Sequence, residues 1–287
     1  MTRLARILAL MLLLLVASTP ALGSGDPLRL GVITLSHPLM MYRQYLPFTD
    51  HVSEHSELTV ELVLAKDYES IIRDLLDDEI DVALLGGLSY LEARRASADI
   101  TPLCGVLSGD GTPTNRTVIF TRETGGSIAT LKDLRGKRFA FASRHSTSGY
   151  LHPLCFLGKN GVERADFVKA ENLRTHEAVV RAVLRGNYDA GAVSASTFMR
   201  FAGEGLKTLA RTPSHPGFVF AARAPGIPRV ERFRQFLLGM DYSSPELRSK
   251  AEGWSPLLRN GFVSVADSDY SKVRDLLQCA ARYGYGG

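Results

Sequence analysis

Ser146, Thr147 and Ser148 set three hydroxyls side by side before Gly149, with Arg144 and His145 immediately upstream. An apolar run from Phe139 to Ala142 leads into this turn, and Tyr150, Leu151, Leu154 and Leu157 follow at helical spacing. Residues 138–153 therefore read as strand, hydroxyl-rich turn, helix. The first N–H groups of a helix have no intrahelical acceptor and sit at the positive end of its dipole. With three hydroxyls beside them they make a seat for an oxyanion. Gly149 lets backbone approach a ligand closely, and Arg144 and His145 add positive charge. The same residues also spell an ordinary N-cap, which binds nothing.

Other reactive patterns carry less. His51, Glu54 and His55 match the spacing of a zinc-peptidase helix, but no third ligand stands in a suitable context. Val52 belongs to an apolar helical face, so a solvated helix end is the simpler reading. Neither a G-x-S-x-G nucleophile elbow nor a phosphate-binding P-loop occurs, and no catalytic set, metal set or cofactor motif emerges. Asn115-Arg116-Thr117 fits a glycosylation sequon without other support. Cys104, Cys155 and Cys279 are odd in number and far apart, so at most one disulfide forms; their spacing excludes a zinc ribbon or a redox pair. The leftover thiol is most simply a small buried residue.

The elements that must position the hydroxyl turn begin after an export signal. Arg3 and Arg6 precede an apolar run from Ile7 to Ala17, and small residues end the stretch at Gly23. No later stretch is longer, and no cysteine follows the cleavage region. A free periplasmic protein without a lipid anchor is expected. Removing residues 1–23 takes away two arginines and no acid, leaving 32 basic against 30 acidic residues, a balance that argues against nucleic acid. The remaining 264 residues suit two lobes better than one.

Strand and helix then alternate. Strands are read at 28–34, 59–65 and near Leu85, with a helix from Met40 to Val52 that carries Pro47 near its first turns, and ITPLCGVL closes the set. An offset of 108 repeats this plan: Glu69, Arg73, Leu76 and Asp81 fall on Glu177, Arg181, Leu184 and Asp189. Two α/β lobes follow, with crossings near 106–112 and 212–217. Residues 24–108 form the first lobe and 109–213 the second, and 214–287 return to the first with the C-terminal helices. Strand ends from the two lobes face each other across a cleft.

Several stretches resemble one family. These are Tyr45 to Pro47, Gly86-Gly87-Leu88-Ser89-Tyr90, LKDLRGKRFAF at 131–141, STSGYLHP at 146–153, THEAVVRAVLRGNYDAGAV at 175–193 and STF at 196–198. The chain is similar along nearly its whole mature length to the periplasmic phosphonate, phosphite and phosphate receptors of ABC transporters. The resemblance implies a two-lobe type II binding fold, each lobe a mainly parallel sheet flanked by helices, and a monomer that delivers its ligand to a membrane permease. Carried over by motif, the ligand residues are Ser146, Thr147, Ser148, His176 and Tyr90, with Tyr45 beside them. His176 would act through one ring nitrogen as donor, or as a cation.

Relatives that bind aminoalkylphosphonates place carboxylates near the turn that here reads Ser194-Ala195-Ser196, and many carry Asp-Pro where this chain has Arg144-His145. Both departures favour phosphate, phosphite or a simple alkylphosphonate over an amine-bearing ligand. Some relatives instead sense arsenite or arsenate and signal to a membrane kinase. In that alternative Cys104 would be a thiol ligand.

Overall fold

Strands and helices form in the order the apolar periodicity dictates. A computed structural model describes residues 26–124, 128–223 and 226–285; the expected export signal at 1–23 lies outside them. The strands are β1 (Leu28–Ile33), β2 (Val60–Ala65), β3 (Val82–Leu85), β4 (Ile100–Val106), β5 (Thr114–Asn115), β6 (Thr117–Arg122), β7 (Arg138–Phe141), β8 (Lys169–Asn172), β9 (Ala190–Ser194), β10 (Leu206–Arg211), β11 (His215–Pro216), β12 (Val219–Arg223) and β13 (Phe262–Val263). The α-helices are α1 (Pro38–His55), α2 (Tyr68–Leu76), α3 (Gly87–Ala96), α4 (His152–Lys159), α5 (His176–Leu184), α6 (Ala195–Arg200), α7 (Pro228–Gly239), α8 (Pro245–Ala251) and α9 (Ser271–Ala281).

Two sheets result, ordered β13-β4-β12-β3-β1-β2 and β10-β6-β9-β7-β8. In each, three strands are parallel: β2-β1-β3 and β8-β7-β9. An antiparallel strand then follows, β12 beside β3 and β6 beside β9, and each is the strand that arrives directly from a crossing. β4 and β10 close the pattern antiparallel to these. The two sheets share one order, and mixed sheets replace the mainly parallel ones expected. The crossings themselves pair as a short ribbon, His215 with Asn115 and Pro216 with Thr114.

The offset seen in the sequence has a physical counterpart. Asp81, just before β3, accepts the backbone N–H of Arg29 at 2.8 Å and pairs with its guanidinium; Asp189, just before β9, does the same for Arg138 at 2.8 Å. Each carboxylate ties the first strand, in chain order, of its parallel trio to the third.

One face of the first sheet buries Phe48, Phe220, Phe233 and Trp254 beneath α1 and α7, and one face of the second buries Phe120, Val179 and Val183 beneath α5. α1 begins at Pro38, so Pro47 stands in its middle rather than near its first turns. The hydrogen bond that Pro47 cannot donate costs a few kcal/mol, offset by burial of Met41, Tyr45, Phe48 and Val52.

The last helix departs from expectation. α7 lies against β4, as a return to the first lobe requires, but α9 packs on α4 of the second lobe. A disulfide between Cys155 and Cys279 fixes it there, with Cα atoms 5.6 Å apart. Just before α9, Asp267 accepts from the Tyr90 hydroxyl at 2.7 Å and lies near Arg94, both on α3 of the first lobe. The C-terminal segment is therefore a third tie between the lobes. A third apolar cluster runs continuously through it, joining Leu88 and Tyr90 to Phe141 and Leu154 by way of Tyr270 and Val273.

Candidate functional site

β7 ends against a turn whose geometry leaves donors facing the cleft. Ser146 takes an extended N-cap conformation, and residues Thr147–Leu151 form a π-helical turn that runs into α4. Such turns are uncommon and concentrate at functional sites. The N–H groups of Thr147 and Ser148 precede any intrahelical acceptor. Gly149 is required by packing: a Cβ there would stand 2.4 Å from the Ala142 Cβ and 2.9 Å from the His176 ring.

His176 opens α5, behind the N-cap Thr175. Its Nδ1 accepts the backbone N–H of Ser194 at 3.0 Å, which places the ring proton on Nε2, 3.0 Å from the Ser146 oxygen. Burial pushes the imidazole down to about 4. His176 is thus a neutral donor at pH 7, and the cationic form considered in the sequence does not apply. Ser146 Oγ receives this N–H and that of Gly149 at 3.0 Å, so its own hydrogen remains to be donated. Thr147 repeats the arrangement across the cleft, accepting the N–H of Leu88 from α3 at 2.8 Å. Ser148 is also buried and lines the same small cavity, about 20 Å³, a little more than one water needs.

The first lobe adds Tyr68, the first residue of α2, whose phenol faces Ser146 and is pushed up to about 12 by burial. Tyr68 was not foreseen, although the offset of 108 maps it onto His176. The turn Gly86-Gly87 completes that side. Around the cavity stand Asn115, His215 and Phe218 from the crossings, and no carboxylate lines it.

Of the residues expected at the site, Ser146, Thr147, Ser148 and His176 come together. Tyr45 is buried beside Ser255 and lines an adjoining chamber of about 90 Å³, separated from the hydroxyl turn by His176 and Phe218. Tyr90 does not join them. The rotation of α3 points the N–H of Leu88 at the cleft and swings Tyr90 onto Asp267 and the Tyr270 ring, 4.7 Å away between centroids. Cys104 does not join them either: it is fully buried in β4, and burial pushes its thiol up to about 12.

His145 works as a clasp between lobes. Its Nδ1 lies 2.9 Å from Glu92 and its Nε2 3.1 Å from Glu69, both on first-lobe helices. The hydrogen bond to Glu92 raises its pKa against the lowering effect of burial.

Comparison with known proteins shows the family. The family described as "ABC transporter, phosphonate, periplasmic substrate-binding protein" matches residues 30–270. The phosphate-import protein PhnD of Mycolicibacterium smegmatis is 28% identical over 278 residues, covering 90% of this chain and 87% of that protein. The phosphonates-binding periplasmic protein of Escherichia coli K12 is 27% identical, covering 87% of this chain and 75% of that protein. Among solved structures, PhnD1 of Prochlorococcus marinus in complex with methylphosphonate superposes with a TM-score of 0.78 at 20% identity, covering 88% of this chain and 97% of that one. At that identity the likeness concerns the fold. The match across 30–270 makes this chain a member of the periplasmic substrate-binding proteins of phosphonate ABC transporters.

Proposed function

We propose that the protein captures a tetrahedral oxyanion, namely phosphate, phosphite or a simple alkylphosphonate, between its two lobes and delivers it to an ABC permease. It does so as a monomer, without catalysis. The observation that carries this reading is the hydrogen-bond polarity of the turn. Ser146 and Thr147 both have their oxygens occupied by N–H donors from the protein, which leaves their hydroxyl hydrogens for a ligand. Every oxygen of a tetrahedral oxyanion is an acceptor, so a neutral cavity of O–H and N–H donors suits it. The absence of a carboxylate around the cavity disfavours an ammonium group. With lobes drawn as 24–108 plus 214–266 and as 109–213, closure brings Leu88 and Tyr68 onto the second lobe's hydroxyls. A ligand drives closure only by binding the closed state better.

A thermal-shift panel of phosphate, phosphite, methylphosphonate, sulfate, arsenate and arsenite tests it. The true ligand, at about 100 times its dissociation constant, should add roughly 2.7 kcal/mol of stability. No shift with any tetrahedral phosphorus oxyanion would overturn the reading.

A further inference from the structure

The small cavity on the hydroxyl turn, about 20 Å³, leaves no room for an organic substituent beside a head group. Next to it, sharing the Tyr68 ring, opens a cavity of about 530 Å³. Its walls are the carboxyl ends of β1, β2, β7 and β8, two strands from each lobe, where open α/β sheets receive ligands. The offset of 108 relates its two sides: Lys66 stands opposite Arg174 as Tyr68 stands opposite His176.

Three cations line this space, Lys66, Arg144 and Arg174. Among the described residues none of them has a carboxylate within salt-bridge distance. Arg174 donates only to the carbonyl oxygen of Lys66 across the cleft, at 3.4 Å. The two carboxylates of the lining are already engaged. Asp67 caps α2, accepting from the N–H and hydroxyl of Ser70 at 2.9 and 2.7 Å, and Glu69 lies 3.1 Å from His145. The neutral cavity for the head group thus opens onto a larger one in which three cations face two carboxylates, with Asp67 held low by Ser70 first and in part by Lys66 and Arg174.

We infer that the larger cavity holds the organic substituent of the ligand, and that this substituent ends in a second anionic group facing Lys66, Arg144 and Arg174. Within the proposed oxyanion class, a phosphonate carrying a carboxylate is then held more tightly than a bare oxyanion or an aminoalkylphosphonate. This rests on the tetrahedral-oxyanion reading above and extends it. A bare oxyanion seated on the hydroxyl turn leaves an excess of positive charge, three cations against two carboxylates, in a space large enough for a small organic ligand. An aminoalkyl chain would bring like charge to them.

Calorimetry on the mature chain at about 150 mM salt compares methylphosphonate, 3-phosphonopropionate and 2-aminoethylphosphonate, conditions that screen long-range steering. We expect 3-phosphonopropionate to bind about tenfold or more tighter than methylphosphonate, and 2-aminoethylphosphonate to bind weakest. In the double variant Lys66→Ala, Arg174→Ala the preference should fall by about threefold or more while methylphosphonate affinity stays within about threefold. Equal or weaker binding of 3-phosphonopropionate by the unaltered chain overturns the inference and leaves the hydroxyl seat standing. So does a double variant that weakens both ligands alike. Failure of all three ligands to bind overturns the oxyanion reading itself, and the inference with it.

Discussion

The two lobes share a strand order and a set of equivalent helices, yet only one carries the hydroxyl seat. At the end of β1 the first lobe places Thr34, Ser36, His37 and Pro38. At the end of β7 the second lobe places Ser143, His145, Ser146 and Thr147. The first set is closed on itself. Thr34 donates its hydroxyl to Ala65 within the sheet at 2.7 Å, His37 takes the N–H of Leu39 at 3.3 Å, and Pro38 has no N–H to offer. The second set keeps its helix N–H groups and turns its hydroxyl hydrogens outward. Equivalent backbone therefore supplies the frame, and a few local departures decide which copy keeps free donors. The pair Tyr68 and His176 shows the same division: both open equivalent helices and both face Ser146, but one is a phenol and the other a ring N–H fixed by Ser194.

The sharpest way to break this comparison is to make the second lobe resemble the first. Replacing Ser146, Thr147 and Ser148 together by alanine should abolish oxyanion binding while the melting cooperativity is retained. Each hydrogen bond to a charged ligand is worth about 1.5–3 kcal/mol, and the losses do not add simply. Wild-type affinity by calorimetry in that variant would remove the seat from this turn.

A second difference lies in how the lobes are held. Only the second is bonded covalently to the C-terminal helix, through Cys155 and Cys279, which are 124 residues apart in sequence. Cys155→Ser with Cys279→Ser should cost about 2–5 kcal/mol in denaturant unfolding, because the open chain gains the freedom of a long loop. A loss under about 0.5 kcal/mol would show that the tertiary contacts of α9 suffice without the bond.

Three buried histidines, His152 and His176 of the second lobe and His215 of the crossing, respond to acid in one direction. Burial holds His176 and His152 down to about 4, and His215, 2.9 Å from His152, is held well below its ordinary value by burial first and His152 second. The unfolded chain takes up protons near 6.5 that these folded groups refuse, so stability should fall as pH drops from about 6.5 towards 4. His145 has the opposite sign. Its raised pKa gives stability that is complete below about 6.5 and is lost as pH rises through the folded value. Melting temperatures between pH 8 and 4.5 test both, with His145→Ala expected to remove only the alkaline component. A flat acid limb would contradict the burial of the three rings.

Much of this was legible in the chain itself, and the gaps have physical causes. Periodicity places the strands and helices, and the repeat at 108 exposes the two-lobe plan. It does not reveal that β6 and β12 enter antiparallel, since each is delivered from the opposite lobe by a crossing whose direction no local pattern encodes. Three widely spaced cysteines fix no pairing, and the attachment of α9 follows from the pair that forms. At the candidate site, the structure brings the residues of the local turn together with His176. Tyr90 was misplaced because a motif gives sequence position but not helical phase, and a two-residue step from Leu88 turns the side chain to the far side of α3. Tyr68 was missed although the repeat pointed to it, because its own surroundings read only as a helix start.

The smallest expected effect concerns Cys104, and it tests whether chemistry resides in the first lobe at all. The residue lies in β4 opposite Phe220, within the apolar layer formed by α1 and α7. A thiol bonds a soft trivalent centre as the thiolate, and the ligand must reach the sulfur. Here the sulfur is enclosed and its proton is held by burial, so neither condition is met. Cys104→Ala should cost about 1 kcal/mol of stability, for lost packing, and should leave phosphite, phosphate and methylphosphonate affinities within about twofold. Arsenite should produce no thermal shift in either form. An arsenite shift that disappears with Cys104→Ala would mean that β4 opens to ligand, and the binding chemistry would then have to be shared between the lobes rather than assigned to the second.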